Sequence, residues 1–484
     1  MSLSSAMSNA LSGLTATTRA TEVVSTNIAN KSVAGYARRE LETSSRAYAS
    51  GGVKIDGVQR QLNAGLLADS RLAQAASSQS GTVASFHAAI ESAFGTADDQ
   101  ASLTSMLTAF DTALTSASAR PDSDVRLNAV LDAAGALTTK IQAVATSITE
   151  ARATADKAIA KDVVTLNDTL AQVAELNRQI TVLTARGEDA SPLIDARQAA
   201  IDEIATIVPI QEVARENGRV ALFTKGGATL VDGNVPAQLS FQPANGMAPD
   251  MSVENGALSR LSLNGEALSD AEMSMFAGGT LAANFEIRDN LAPAYQAKID
   301  GFAREIYTRF ADPAVDGTLT AGAAGLFTDA QSAFVPGNET GLANRIAVNT
   351  SIDPSQGGEL WRIRAGVNAT GPGSIGDATL IQAMGAALAD ARTPSSTAMS
   401  STARSMLLFA SDLTSNASSL RIRADATALQ DQTRAESLNT ALLAQGVDTD
   451  TEMEALLSLE KAYAANAKVF QTVNDMLDEI LRLT

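Results

Sequence analysis

DVRLNAVLDAAGALTTKIQAVATSITEARATADKAIAKDVVTLNDTLAQVAELNRQITVLTAR, residues 124–186, holds no proline and a single glycine, Gly135. Val130, Ala134, Leu137, Ile141, Val144 and Ile148 form one apolar row, and Val163, Leu166, Leu170, Val173, Leu176, Ile180 and Leu183 form a second. Intervals of three and four residues bring such rows onto one helix face. The stretch reads as one very long helix or two nearly collinear ones, with Gly187 as C-cap.

Upstream, residues 66–94 and 102–118 read as helices, the second stopping before Arg120-Pro121-Asp122, where proline disfavours helix in the preceding residue. Downstream, a helix starts near Ser191-Pro192 and runs to 207. The texture then changes to short β-like runs at 210–213, 220–224, 229–231, 238–241 and 258–263. Asn217-Gly218, Asp232-Gly233, Asn255-Gly256 and Asn264-Gly265 supply turns between them, as in a small antiparallel β domain. Helix returns at 279–310, with Pro293 expected to kink it. A Gly/Pro/Asn-rich stretch, 312–376, holds a strand-like piece at 360–363, and helices resume at 377–391, 395–443 and 450–483.

The two ends are alike in kind. Leu3, Met7, Ala10, Leu14, Thr17, Thr21, Val24 and Ile28 recur at heptad spacing, as do Leu456, Leu459, Tyr463, Asn466, Phe470, Val473, Leu477 and Ile480. Each segment forms a rod of about 40 Å. Neither buries its stripe alone, so the ends pair with each other or with neighbouring subunits, or stay disordered. The fold class is therefore mainly α with an inserted small antiparallel β domain, an elongated, folded-back multidomain chain with a terminal coiled coil. The expected domains are 1–35 with 447–484, 36–207 with 277–446, and the insert 208–276.

Composition narrows the function. Aromatic residues make up only 4% of the 484, which suits long helices packed through small side chains better than one aromatic-rich core. With no cysteine, disulfides, thiolate metal sites and cysteine nucleophiles are excluded. A formal net charge of −18 without a Lys/Arg cluster argues against nucleic acid. Residues 1–7 have neither a basic region nor an apolar run, so no Sec-type signal is expected there, and no stretch approaches the roughly 18 apolar residues of a membrane span.

Chemistry-bearing motifs are few. His87, the single histidine, lies inside a helix without evident partners. Gly371-Pro372-Gly373-Ser374-Ile375-Gly376 matches GxGxxG, yet proline removes an amide and no acidic residue stands about 20 positions on, so it reads as a loop. Asp448-Thr449-Asp450-Thr451-Glu452 starts like a calcium loop, but Met453 replaces the turn glycine. Thr449 and Glu452 are at capping-box spacing instead. No catalytic, cofactor or metal site is expected.

Thr26-Asn27-Ile28-Ala29-Asn30, followed by Gly35-Tyr36-Ala37-Arg38, resembles the N-terminal signature of the flagellar axial proteins of rod, hook and junction. Residues 460–469, EKAYAANAKV, with Met476-Leu477, resemble their C-terminal signature. Residues 190–197 (ASPLIDAR) with 201–204 (IDEI), residues 278–283 (GGTLAA), and Val220-Ala221-Leu222-Phe223 are similar to the hook–filament junction branch. Pro192 and Ala196 depart from the usual polar residues, and one clear β insert suggests a reduced outer region.

The resemblance implies a structural subunit that joins hook to filament, is not an enzyme, and is secreted to the flagellum by the type III route. It implies a homo-oligomer that contacts the hook protein, a second junction protein and an export chaperone, with neither nucleic acid nor membrane insertion. Assembly would rest on Leu3, Met7, Leu14, Val24 and Ile28 against Leu456, Leu459, Tyr463, Asn466, Phe470, Val473, Leu477 and Ile480. Asn27, Asn30, Gly35, Tyr36 and Arg38 would turn the chain into the next domain. A secreted hydrolase carried on the same axis is the alternative.

Overall fold

The computed structural model describes residues 3–33, 35–46, 51–96 and 98–483. Helix α1 (Leu3–Asn30) leads into a hairpin, β1 (Arg39–Ser45) and β2 (Val53–Arg60), then α2 (Ala64–Phe94) and α3 (Leu103–Ala119). The stretch 124–186 is one helix, α4 (Asp124–Arg186), of 63 residues, capped at Gly187. At roughly 1.5 Å per residue it is about 95 Å long.

After α5 (Ser191–Ile207) come β3 (Ile210–Ala214), β4 (Val220–Thr224), β5 (Thr229–Asp232) and β6 (Val235–Pro236), an antiparallel sheet in sequential order. A smaller sheet of β7 (Leu239–Ser240), β8 (Ser262–Leu263) and β9 (Glu266–Ala267) follows. Then come α6 (Asp270–Met273), α7 (Gly279–Glu286) and α8 (Ala292–Phe310). The stretch 312–376 contains paired β10 (Phe327–Asp329) and β11 (Ile346–Val348), with α9 (Leu342–Arg345) between them and α10 (Arg362–Ala365) after them. The strand-like reading of 360–363 is corrected: the segment closes into the turn of α10. The chain ends with α11 (Thr379–Ala389), α12 (Met406–Ala444) and α13 (Thr449–Leu483).

Two cores share α4 as a common beam. Its N-terminal row, Leu127 to Ile148, packs with Phe94, Phe110, Phe302, Phe310, Phe327 and Phe409. Phe110, Phe310 and Phe327 meet at centroid distances of 5.1–5.8 Å. Most of the buried phenylalanines gather in this core, against the expectation that small side chains suit the composition better than an aromatic-rich core, while Phe276 and Phe285 lie in the second. Of the second row, Val163 to Val173 pack with Ile159 against α5, the four-stranded sheet, Leu281 and Phe285, while Leu176, Ile180 and Leu183 form a small separate cluster with Ala190, Leu193 and Ile194. Residues 208–276 therefore close onto α4 and α5.

Between the two cores, α4 presents Arg152 and Asp156, both buried. Asp156 Oδ1 accepts from Arg288 at 2.9 Å, and Asp156 Oδ2 accepts from Ala244 N at 2.7 Å. Arg152 Nε donates to Arg288 O at 2.7 Å. Arg288, fully buried, also pairs with Asp289 and stacks over Phe241 and Phe285. It sits in a π-helical turn, Ile287–Leu291, which interrupts the expected 279–310 helix just before Pro293. The wider turn accommodates the hydrogen bond that proline cannot donate.

His87 lies in the first core, with Nδ1 3.0 Å from the Tyr295 hydroxyl. Burial lowers its pKa and pushes that of Tyr295 up to about 12. The folded chain thus binds a proton at His87 less readily than the unfolded chain. Stability from this site is present above the unfolded value near 6.5 and falls as pH drops through the lower folded value. Replacing His87→Gln should flatten the acid side of a urea-melt stability profile. Separately, Asp156→Ala leaves Arg288 with Asp289 as its remaining carboxylate and Ala244 N without its acceptor, and should cost about 1–3 kcal/mol in urea unfolding.

Candidate assembly joint at the paired chain ends

The two ends are helices packed side by side, with the β1–β2 hairpin on another flank of α1. On α1 the buried residues are Ala10, Gly13, Ala16, Val23, Val24 and Asn27. Among the described side chains of α13, Glu452 and Val473 are buried. A Cβ on Gly13 would come within 2.9 Å of the Asn466 side chain, so this glycine permits the helices' close approach.

Of the residues singled out by spacing, Ala10, Val24 and Val473 are buried, and so is Asn27, which stood out by resemblance. Leu3, Met7, Leu14, Ile28, Asn30, Leu456, Leu459, Asn466, Phe470 and Leu477 are half-buried. Tyr463 and Ile480 are 49% and 47% exposed within the single chain. On α1 the buried line runs through Ala10, Gly13, Ala16, Val23, Val24 and Asn27 and leaves Leu14 and Ile28 half-buried. Small side chains let the backbones close, whereas the spacing argument favoured the large ones.

At one end of this pair the chain turns. Asn30 closes α1, its Nδ2 donating to Thr26 O at 2.9 Å. Gly35 has φ +76°, and a Cβ there would lie 3.0 Å from Asp195 O. Asn27 then organises the joint. Its Oδ1 accepts from Arg39 N at 3.0 Å and from the Tyr36 hydroxyl at 2.7 Å. Its Nδ2 donates to Arg39 O at 2.9 Å and to Glu452 Oε2 at 3.1 Å. The other Glu452 oxygen accepts from Arg38 Nε at 2.6 Å. Burial raises the Tyr36 pKa, so its hydroxyl stays a donor.

A second carboxylate anchors the hairpin to the body. Asp195 on α5 accepts from Arg39 at 2.6 Å through Oδ2 and from Arg60 Nε at 2.9 Å through Oδ1. One asparagine and two acids thereby tie α1, the hairpin, α13 and α5 into a bracket. Its groups are hydrogen-bonded to each other, as a mechanical joint needs.

Glu452, Arg39, Arg60 and Asp195 escaped assignment to the joint. The capping-box reading of Glu452 is corrected: Asp448 caps α13, accepting from Asp450 N at 3.1 Å and the Thr451 hydroxyl at 3.0 Å. Glu452 turns to α1 instead. The Gly371–Gly376 loop also differs in polarity from a phosphate cradle. The carbonyls of Pro372 and Ile375 accept from the buried Arg364, so the chain's own cation occupies the loop. Among the described residues no cluster of His, Cys, Asp and Glu could hold a metal ion.

Comparison with known proteins shows what the chain is similar to. The model described as "Flagellar hook-associated protein FlgK helical domain" matches residues 87–327. "Flagella basal body rod protein" matches 7–36, and "Flagellar basal body rod FlgEFG protein C-terminal" matches 439–483. Flagellar hook-associated protein 1 of Escherichia coli is 24% identical over 555 aligned residues, covering 99% of this chain and 100% of that protein. The chain is similar to flagellar hook-associated protein 1 in its helical body and at both ends.

The Salmonella typhimurium member is 31% identical over 252 residues, covering 50% of this chain and 45% of its own length. This chain thus spans about half the length of that relative in the alignment. The solved structure of the flagellar hook junction protein FlgK from Burkholderia pseudomallei aligns with a TM-score of 0.44. It is 18% identical, over 54% of this chain and 46% of that one. The two terminal matches cover most of α1 and α13, the helices that the joint brings together. Replacing Glu452→Ala should lower local opening free energy there by about 2 kcal/mol. Amide exchange should quicken in the last turn of α1 and the first turns of α13, with α4 unchanged.

Proposed function

We propose that this chain is a structural subunit of the bacterial flagellum. It joins hook to filament and polymerises through its paired terminal helices. The observation that carries the reading is the unfinished packing of α13. Met453, Leu457, Val469 and Met476 are each about half exposed, and so is Leu11 on α1. A run of exposed apolar side chains along a whole helix is characteristic of an interaction surface. Copies of the same helix pair, laid side by side, cover it and form an inner tube.

In this reading α4 and its two cores form the outer shell, and the joint at Asn27 and Asp195 sets how the shell sits on the tube. Hook protein lies on one side of the assembled junction and a second junction protein on the other. Before assembly, the apolar face of α13 needs shielding, which gives an export chaperone its physical purpose. Relatives bear the names of structural flagellar components, and the role calls for no catalytic step.

Removing residues 3–28 should leave the two α4 cores folded by circular dichroism and abolish addition to hook tips. Incorporation at the normal level would refute the reading. The double substitution Leu457→Glu with Val469→Glu is a finer test. Both side chains are exposed, so the monomer's melting midpoint should hold while incorporation is lost.

A further inference from the structure

The sequence contains four Asn-Gly pairs, at 217, 245, 255 and 264. In such a pair the glycine nitrogen can attack the asparagine side-chain carbonyl, because no side chain on the second residue hinders the approach. The bond from Cγ to the leaving nitrogen breaks and ammonia departs, leaving a five-membered imide. Water then opens the imide to aspartate or isoaspartate, so asparagine and water become acid and ammonia. The reaction requires a free glycine nitrogen and an asparagine that can rotate to meet it.

Three of the pairs are held against this. Asn217 has φ 58° and ψ 35°, which turns the Gly218 nitrogen away from the asparagine side chain. Asn255 is clamped: Oδ1 accepts from Ser252 N at 3.0 Å and Ala257 N at 3.1 Å, and Nδ2 donates to Asp250 O at 2.8 Å. Its glycine nitrogen is also engaged, donating to Val253 O at 3.2 Å. Asn264 has φ 52°, and its Oδ1 accepts from Gln238 N at 2.9 Å.

The fourth differs. Asn245 and Gly246 are exposed, and no hydrogen bond to either side chain or main chain is made among the described residues. They lie at the free apex between two anchor points on α4. On one side Ala244 N donates to Asp156 at 2.7 Å, and on the other Ala248 O accepts from Arg152 at 3.3 Å.

We propose that Asn245 is a site of spontaneous deamidation in the folded protein, selected from the four pairs by this freedom. Isoaspartate there adds a methylene to the main chain between the two anchors, and either product places a new carboxylate beside the buried Arg288–Asp156 seam. The modification therefore acts on the contact between the β-containing region and the helical core.

The test is peptide mass mapping of the intact chain after incubation at mildly alkaline pH, with and without urea. In the folded chain Asn245 should convert at least about tenfold faster than the other three, whose reaction waits on local opening. In urea the four rates should converge. Gly246→Ala, where nothing lies within 4 Å of the added Cβ, should fold normally and slow conversion at 245. Equal rates at the four sites in the folded chain, or an unslowed Gly246→Ala variant, would overturn the proposal.

Discussion

The contact between α1 and α13 is made of small side chains, and that fact governs how the chain can work. Ala10, Gly13 and Ala16 let the helices approach closely. Close approach through small residues removes little apolar area from water, however. Among the described side chains of α13, Val473 is the single large apolar group that is buried. Full burial of such a group contributes roughly 1.5–3 kcal/mol. Ordering helices of 28 and 35 residues costs about 1–2 kcal/mol per residue before hydrogen bonds offset it. The pair is thus poised: its geometry is set within one chain, and in the proposed assembly its stability is completed by the copies that cover the rest of α13.

The body is built on the opposite plan. One helix, α4, supplies a face to each of two densely packed cores, so bending it disturbs both. The cores do not merge, because Arg152, Asp156 and Arg288 meet between them and satisfy one another and nearby carbonyls. Buried ions of this kind specify position more than they add stability. The same device recurs at the joint, where Asp195 holds two arginines of the hairpin. A stiff body and a marginal end, connected by a bracket of directional bonds, suit the proposed subunit, whose ends are completed by neighbouring copies.

Long periodic segments were legible because their pattern repeats many times. The bounds of α4 follow from its apolar rows, the lack of proline and Gly187. The hairpin was not legible: most of Arg39–Ser45 and Val53–Arg60 is exposed or half-exposed, so no alternation marks its strands. The π-turn at Ile287–Leu291 answers a distant partner, Asp156, and carries no local signal beyond Pro293. At the joint, Asn27, Gly35, Tyr36 and Arg38 stood out by resemblance. Glu452 did not, since a glutamate near a helix start fits a cap as readily as a long-range partner. The heptad rows located the right helices but favoured Leu14 and Ile28, because spacing counts large side chains and closeness depends on small ones.

The most direct measurement is amide hydrogen exchange on the isolated chain and on the same chain assembled at hook tips. The account predicts rapid exchange along α1 and α13 in the isolated chain, beside strong protection of α4, and protection of all three after assembly. Terminal helices as protected as α4 in the isolated chain, with no change on assembly, would contradict it.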